Sequence, residues 1–124
     1  MEKEPLKGFG EFFKSRRQSL GYTLRRFCLE KKLDPGNISR MERGLMPPPQ
    51  KREKLEEYAE HLEIPLGSDE WYEFFDLAHI ASSKIPADLM EDEELVKKLP
   101  LLFRTVRDLD DEKLDALIEL IRRA

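Results

Sequence analysis

The chain has 124 residues, with 22 Lys and Arg, 26 Asp and Glu and 2 His, and a formal net charge of -4. Hydrophobic residues make up 40% and charged residues 39%, too apolar for a disordered chain and too charged for a membrane protein. No apolar run approaches the ~20 residues of a transmembrane helix, the start Met1-Glu2-Lys3-Glu4-Pro5 lacks the apolar stretch of a signal peptide, and one cysteine cannot close an intrachain disulfide. The expectation is a cytoplasmic chain of one domain, or of a small domain plus an appendage.

In chain order the pattern is helical throughout. No segment sustains a period of two, and no Asn-Gly or Asp-Gly hairpin signal occurs. Phe9, Phe12, Phe13 and Leu20 predict a first helix that ends near Gly21. Thr23 can cap a second helix over Leu24 to Lys31, with Phe27 and Cys28 facing inward. Asp34-Pro35 pairs an N-cap acceptor with proline at the first helical position. The third helix passes through Ile38 and Met41 and stops at Gly44, a left-handed C-cap. Pro47-Pro48-Pro49 forces an extended linker. Leu55, Tyr58, Ala59 and Leu62 recur at helical spacing on a fourth helix that ends near Ile64-Pro65. Ser68 caps a fifth, whose first turn holds Asp69 and Glu70 and whose apolar stripe is Trp71, Phe74, Phe75 and Ala78.

Ser82 to Ala87 reads as a break, followed by an acidic run from Asp88 to Glu94. Leu95, Leu99, Leu102, Phe103 and Val106 have helical spacing, but Pro100 interrupts them. Interior proline costs a helix about 3 kcal/mol, which predicts a kink or a new helix there. Asp110 can cap a last helix, with Leu109 stapled to Leu114. The stripe of that helix is Leu114, Leu117, Ile118 and Ile121.

Charge is unevenly spread. Residues 1–52 carry 13 Lys/Arg against 6 Asp/Glu, while residues 53–124 carry 9 against 20. A basic front half is a common footprint of an anionic partner, nucleic acid foremost. The plainer alternative is a solvated surface.

Thr23 to Gly44 forms two helices joined by a short turn, the second helix short and polar on one face. With Ile38 and Met41 inward, Gly36, Asn37, Ser39, Arg40 and Arg43 face out. Asn suits adenine, and Arg suits the O6 and N7 of guanine. On Arg17, Phe27-Cys28 and the run Asp34-Pro35-Gly36-Asn37-Ile38-Ser39-Arg40-Met41-Glu42-Arg43-Gly44, the segment from Leu6 to Ile64 resembles the Xre/Cro-type helix-turn-helix regulators. The resemblance implies an all-α, five-helix DNA-binding core over residues 1–64. Residues 65–124 would be a helical extension that completes the core and mediates dimer or partner contacts. It places Pro35, Gly36, Asn37 and Arg40 against base edges of double-stranded DNA. Thr23, Leu24, Arg25, Ser39, Arg43 and Lys51 fall where the family contacts phosphates. It also implies a structural ion pair between Arg17 and Glu42. Arg16, Arg26, Lys32 and Arg52 are further phosphate contacts or plain surface charge.

The chain departs from the family in two ways. The turn reads Lys31-Lys32-Leu33 without glycine, with Lys31 where an apolar residue is usual and Leu29 the available substitute, and Leu24 replaces the polar residue common at the start of the second helix, which leaves a backbone contact there. The function implied is a sequence-specific transcriptional regulator, a dimeric repressor. The alternative is an antitoxin that binds a toxin protein and represses its own operon. Leu114, Leu117, Ile118 and Ile121 are the dimer or partner surface in either case. Catalytic residues, metal ligands and cofactors are not expected. His61, His79 and Cys28 are too scattered for a zinc site, and the pairs Glu93/Glu94 and Asp110/Asp111 lack a neighbouring nucleophile.

Overall fold

The computed structural model describes residues 4–123, and the described residues are all-helical. The helices are α1 (Glu4–Ser19), α2 (Leu24–Lys31), α3 (Pro35–Glu42), α4 (Arg52–His61), α5 (Asp69–Ala81), α6 (Ala87–Met90), α7 (Glu93–Arg107) and α8 (Asp111–Arg123). They fall into two compact units, one up to Pro86 and one from Ala87. The first unit includes α5. Phe74, Phe75 and Ala78 of α5 are buried, and α1 packs chiefly on α5 and α3.

The interior is built from rings. Phe9, Phe13, Phe27, Phe74, Ile38 and Leu62 are the largest fully buried side chains. Phe13 sits edge-on to Phe27 at 5.8 Å and to Tyr58 at 5.7 Å, while Phe9 lies 5.2 Å from Phe74. Such contacts add about 0.5–1.5 kcal/mol per pair beyond burial. Cys28 is buried among them, and burial raises its thiol pKa, so it behaves as a small apolar side chain. Leu29 is 78% exposed and does not fill the place left by Lys31. Phe27 and Cys28 already occupy the inward face of α2, and Leu33 covers the core from beyond the helix end.

Local chemistry sets the helix ends. Thr23, Asp34, Ser68 and Asp92 each accept a backbone N–H as N-caps, and Asp110 accepts from the N–H of Lys113 at 2.8 Å. Each such cap contributes about 0.5–2 kcal/mol. Gly44 follows α3 with φ +75°. The α2–α3 turn has no glycine, and Lys32 takes the left-handed position instead, at φ 58° and ψ 47°. That conformation costs an L-residue roughly 1–2 kcal/mol. No new helix begins at Pro100: α7 runs through it without a break. The proline removes one backbone donor, and the rest of a 15-residue helix holds the segment together.

His61, in the last turn of α4, has its Nε2 buried without a hydrogen-bond partner. Burial lowers its pKa below the ordinary 6.5. Lys31 and Lys54 push the same way, and Glu57 and Glu60 oppose. The unfolded chain therefore binds the proton more readily. Stability is full above pH 6.5 and falls as pH drops from there toward the folded pKa. Thermal unfolding between about pH 7.5 and 5.5 is expected to show Tm falling with acidification, and falling less in His61→Gln. Equal slopes would remove His61 as a cause.

Candidate nucleic-acid interface

Two ties hold α3. On its inner side Ile38 and Met41 are 2% and 3% exposed. At its C-terminal end Glu42 is buried and accepts from Arg17 of α1: Nε to Oε2 at 2.8 Å and Nη2 to Oε1 at 2.9 Å. This fork-to-fork geometry is the strong form of a charge-assisted pair. The third arm of Arg17, Nη1, donates to the Tyr22 carbonyl at 2.8 Å and so fixes the chain entering α2. The remaining face of α3 has no such cover.

That open face starts with Asp34, whose carboxylate accepts the N–H of Asn37 at 3.0 Å. Pro35, Asn37 and Arg40 are exposed, and Gly36 and Ser39 are half-buried. Arg40 folds back along the helix. Its Nη2 donates to Asn37 Oδ1 at 2.5 Å, and its guanidinium passes over Gly36, where an added Cβ would lie 3.6 Å from Nη1. Asn37 and Arg40 therefore form one unit, and both residues are exposed. A bidentate contact from Asn to adenine needs Oδ1 as acceptor. Here one of the two acceptor sites of that atom already receives Arg40.

The flanking residues differ in freedom. Arg25 and Lys51 are exposed, and Arg43 is exposed while its Nε donates to the Ser39 carbonyl at 3.3 Å. Thr23 is exposed, but its hydroxyl is occupied by the Arg26 N–H at 3.2 Å. Leu24 is half-buried against the core. Arg26 lies 3.5 Å from Glu30, and Lys32 caps α2.

Besides Arg17, two cations of the basic half have structural work. Arg16 donates to the Leu62 carbonyl at 2.9 Å, to the Glu63 carbonyl at 2.7 Å and to Glu70 at 3.0 Å, tying α1 to the α4–α5 turn. Arg52 lies 4.0 Å from the centre of the Phe75 ring and 5.3 Å from that of Trp71. It stacks in cation–π geometry and pairs with Glu56. Sequence reading placed both on the surface. An arginine in the last turn of a helix carries no mark of which carbonyls it will meet.

Comparison with protein families, with curated proteins and with solved structures returned no match to this chain.

Proposed function

We propose that the first unit is a helix-turn-helix module that reads double-stranded DNA, and that the protein is a sequence-specific transcriptional regulator. The observation that carries this reading is the open face of α3. A short helix is clamped from behind by Ile38, Met41 and the Arg17–Glu42 pair, and it presents Asn37 and Arg40 to solvent from its first turns. Helices that enter the major groove need small or polar residues in the N-terminal turn, and Pro35, Gly36, Asn37 and Ser39 meet that need. Arg25, Arg43 and Lys51, together with the backbone of Thr23 and Leu24, supply phosphate contacts, which give affinity and register without sequence. The Asn37–Arg40 unit supplies specificity, with Arg40 donating to O6 and N7 of guanine.

Fluorescence anisotropy with the upstream region of its own gene against scrambled duplex tests this. Preference for the native duplex is expected at roughly 10³-fold or more. Arg40→Ala is expected to cost about 1–3 kcal/mol. Because Asn37 orients Arg40, the Asn37→Ala and Arg40→Ala losses are expected to be strongly non-additive, with the double variant little worse than Arg40→Ala alone. Weak binding, equal on both duplexes and abolished by moderate salt, would count against the reading. Additive losses would retain DNA binding but make Asn37 an independent contact.

A further inference from the structure

On α2 one apolar side chain has no place in the core. Leu29 is 78% exposed, while Phe27 and Cys28 of the same helix are buried. Beside it lies a groove of about 460 Å³, lined by Arg25, Cys28, Leu29, Lys32, Leu33 and Pro35. Small-molecule sites span roughly 300–1,000 Å³. Four of the six lining residues are apolar, and no Asp or Glu is among them. Arg25, Leu29 and Lys32 follow one another at i, i+4 and i+7, so two cations bracket the exposed leucine.

Both cations are unengaged. Their neighbours are not: Arg26 pairs with Glu30, and Lys31 lies over the Tyr22 ring. Among the described residues, the side chains of Arg25 and Lys32 make no hydrogen bond or ion pair. Lys32 also holds a left-handed conformation, at φ 58°, that glycine adopts freely. Lysine there is strained, and strain of this kind gathers where a side chain serves a ligand. Its ammonium is what a glycine would forfeit.

This composition selects the occupant. An inorganic anion would leave the apolar floor wet, and a neutral apolar molecule would leave two cations unused. An acidic peptide would bring more charge than two cations match. A single carboxylate on an aliphatic body satisfies both parts of the groove. We propose that the groove binds a free aliphatic carboxylate. The head group lies between the Arg25 guanidinium and the Lys32 ammonium, and the chain lies over Leu29, Leu33, Cys28 and the Pro35 ring. A consequence for DNA rests on the function proposed above, in which Arg25 contacts phosphate and Pro35 opens the reading helix. A bound carboxylate neutralises the first and covers the second, so it lowers DNA affinity.

Calorimetric titration of the full chain with octanoate, without DNA and below the micelle range, tests the site. Saturable one-site binding is expected. Lys32→Gly is expected to weaken it roughly tenfold or more, while the urea midpoint rises because glycine relieves the left-handed strain. That pairing separates a lost head-group contact from a damaged fold. Leu29→Gln is expected to weaken octanoate as well. Acetate, 1-octanol and a leucine-bearing acidic peptide are each expected to bind more weakly than octanoate. Absence of saturable octanoate binding overturns the proposal. So does binding indifferent to both substitutions, or a comparison ligand that binds as tightly as octanoate. In anisotropy, octanoate is expected to release the native duplex near its own Kd. A duplex still held at saturating octanoate overturns the regulatory consequence. A chain that binds octanoate and no DNA overturns the DNA reading and upholds the groove.

Discussion

Glu42→Ala is expected to lower the unfolding free energy by about 3–5 kcal/mol, because it leaves a guanidinium buried without its counter-charge. Arg17 and Glu42 are 4% and 6% exposed, so water cannot replace the missing partner. Arg17→Ala is expected to cost about as much, by orphaning the carboxylate and the Tyr22 carbonyl that accepts from Nη1 at 2.8 Å. The pair itself is worth far less than either loss. Two desolvated charges repay their dehydration only through their mutual bonds, and apolar replacements of similar volume are often neutral or stabilising. Arg17→Met with Glu42→Met is therefore expected to recover much of what the single changes lose. Urea unfolding of the wild type, the two alanine variants and the double methionine variant compares these losses. Single losses under about 1 kcal/mol would mean that the pair is solvated in solution. The functional consequence lies in α3. The pair anchors the C-terminal end of the proposed reading helix to α1, so the single variants are expected to lose DNA affinity as well as stability.

That pair is legible in the sequence through the family resemblance and not through spacing. Most helix starts were also legible, because Thr23, Asp34, Ser68 and Asp110 each combine an acceptor side chain with an apolar-periodic run behind it. These are local signals, decided within one turn of chain. What escaped sequence reading is long-range. Arg16 looked like any surface arginine, yet it caps carbonyls 46 and 47 residues away. Arg52 sits at a helix start, and nothing nearby announces that Phe75 and Trp71 will lie beneath it. Lys32 in the left-handed position defeated the expectation of glycine, because capping bonds to Cys28 hold a conformation that lysine disfavours. At the open face of α3, residue types suggested two independent base readers. The structure joins their side chains by a hydrogen bond instead.

One long-range signal lies in the glycines of α1. Gly8 and Gly10 lie inside α1, where glycine costs about 0.8–1.0 kcal/mol against alanine. A helix carries such a residue to its own disadvantage unless something approaches closely. At Gly10 something does. An added Cβ would stand 2.4 Å from the carbonyl oxygen of Met41 and 2.5 Å from that of Glu42. Both obstacles are backbone of α3, so no rotamer change relieves them. At Gly8 the nearest atom is the flexible end of Leu77, 3.8 Å away.

The two glycines therefore predict opposite outcomes for one chemical change. Gly8→Ala is expected to leave stability unchanged or raise it by up to about 1 kcal/mol, the helix-propensity gain. Gly10→Ala is expected to destabilise at or above the top of the ~1–3 kcal/mol range for overpacking, because α1 and α3 must separate. Separation also stretches the Arg17–Glu42 bonds, because Glu42 is one of the two residues packed on Gly10 and Arg17 lies on the same helix as Gly10. Gly10→Ala should thus resemble Glu42→Ala in both readouts, lower urea midpoint and weaker DNA binding, while Gly8→Ala changes neither for the worse. Equal effects at the two positions would show that the α1–α3 crossing yields cheaply. The position of α3, and with it the aim of Asn37 and Arg40, would then be set by the apolar contacts of Ile38 and Met41 instead.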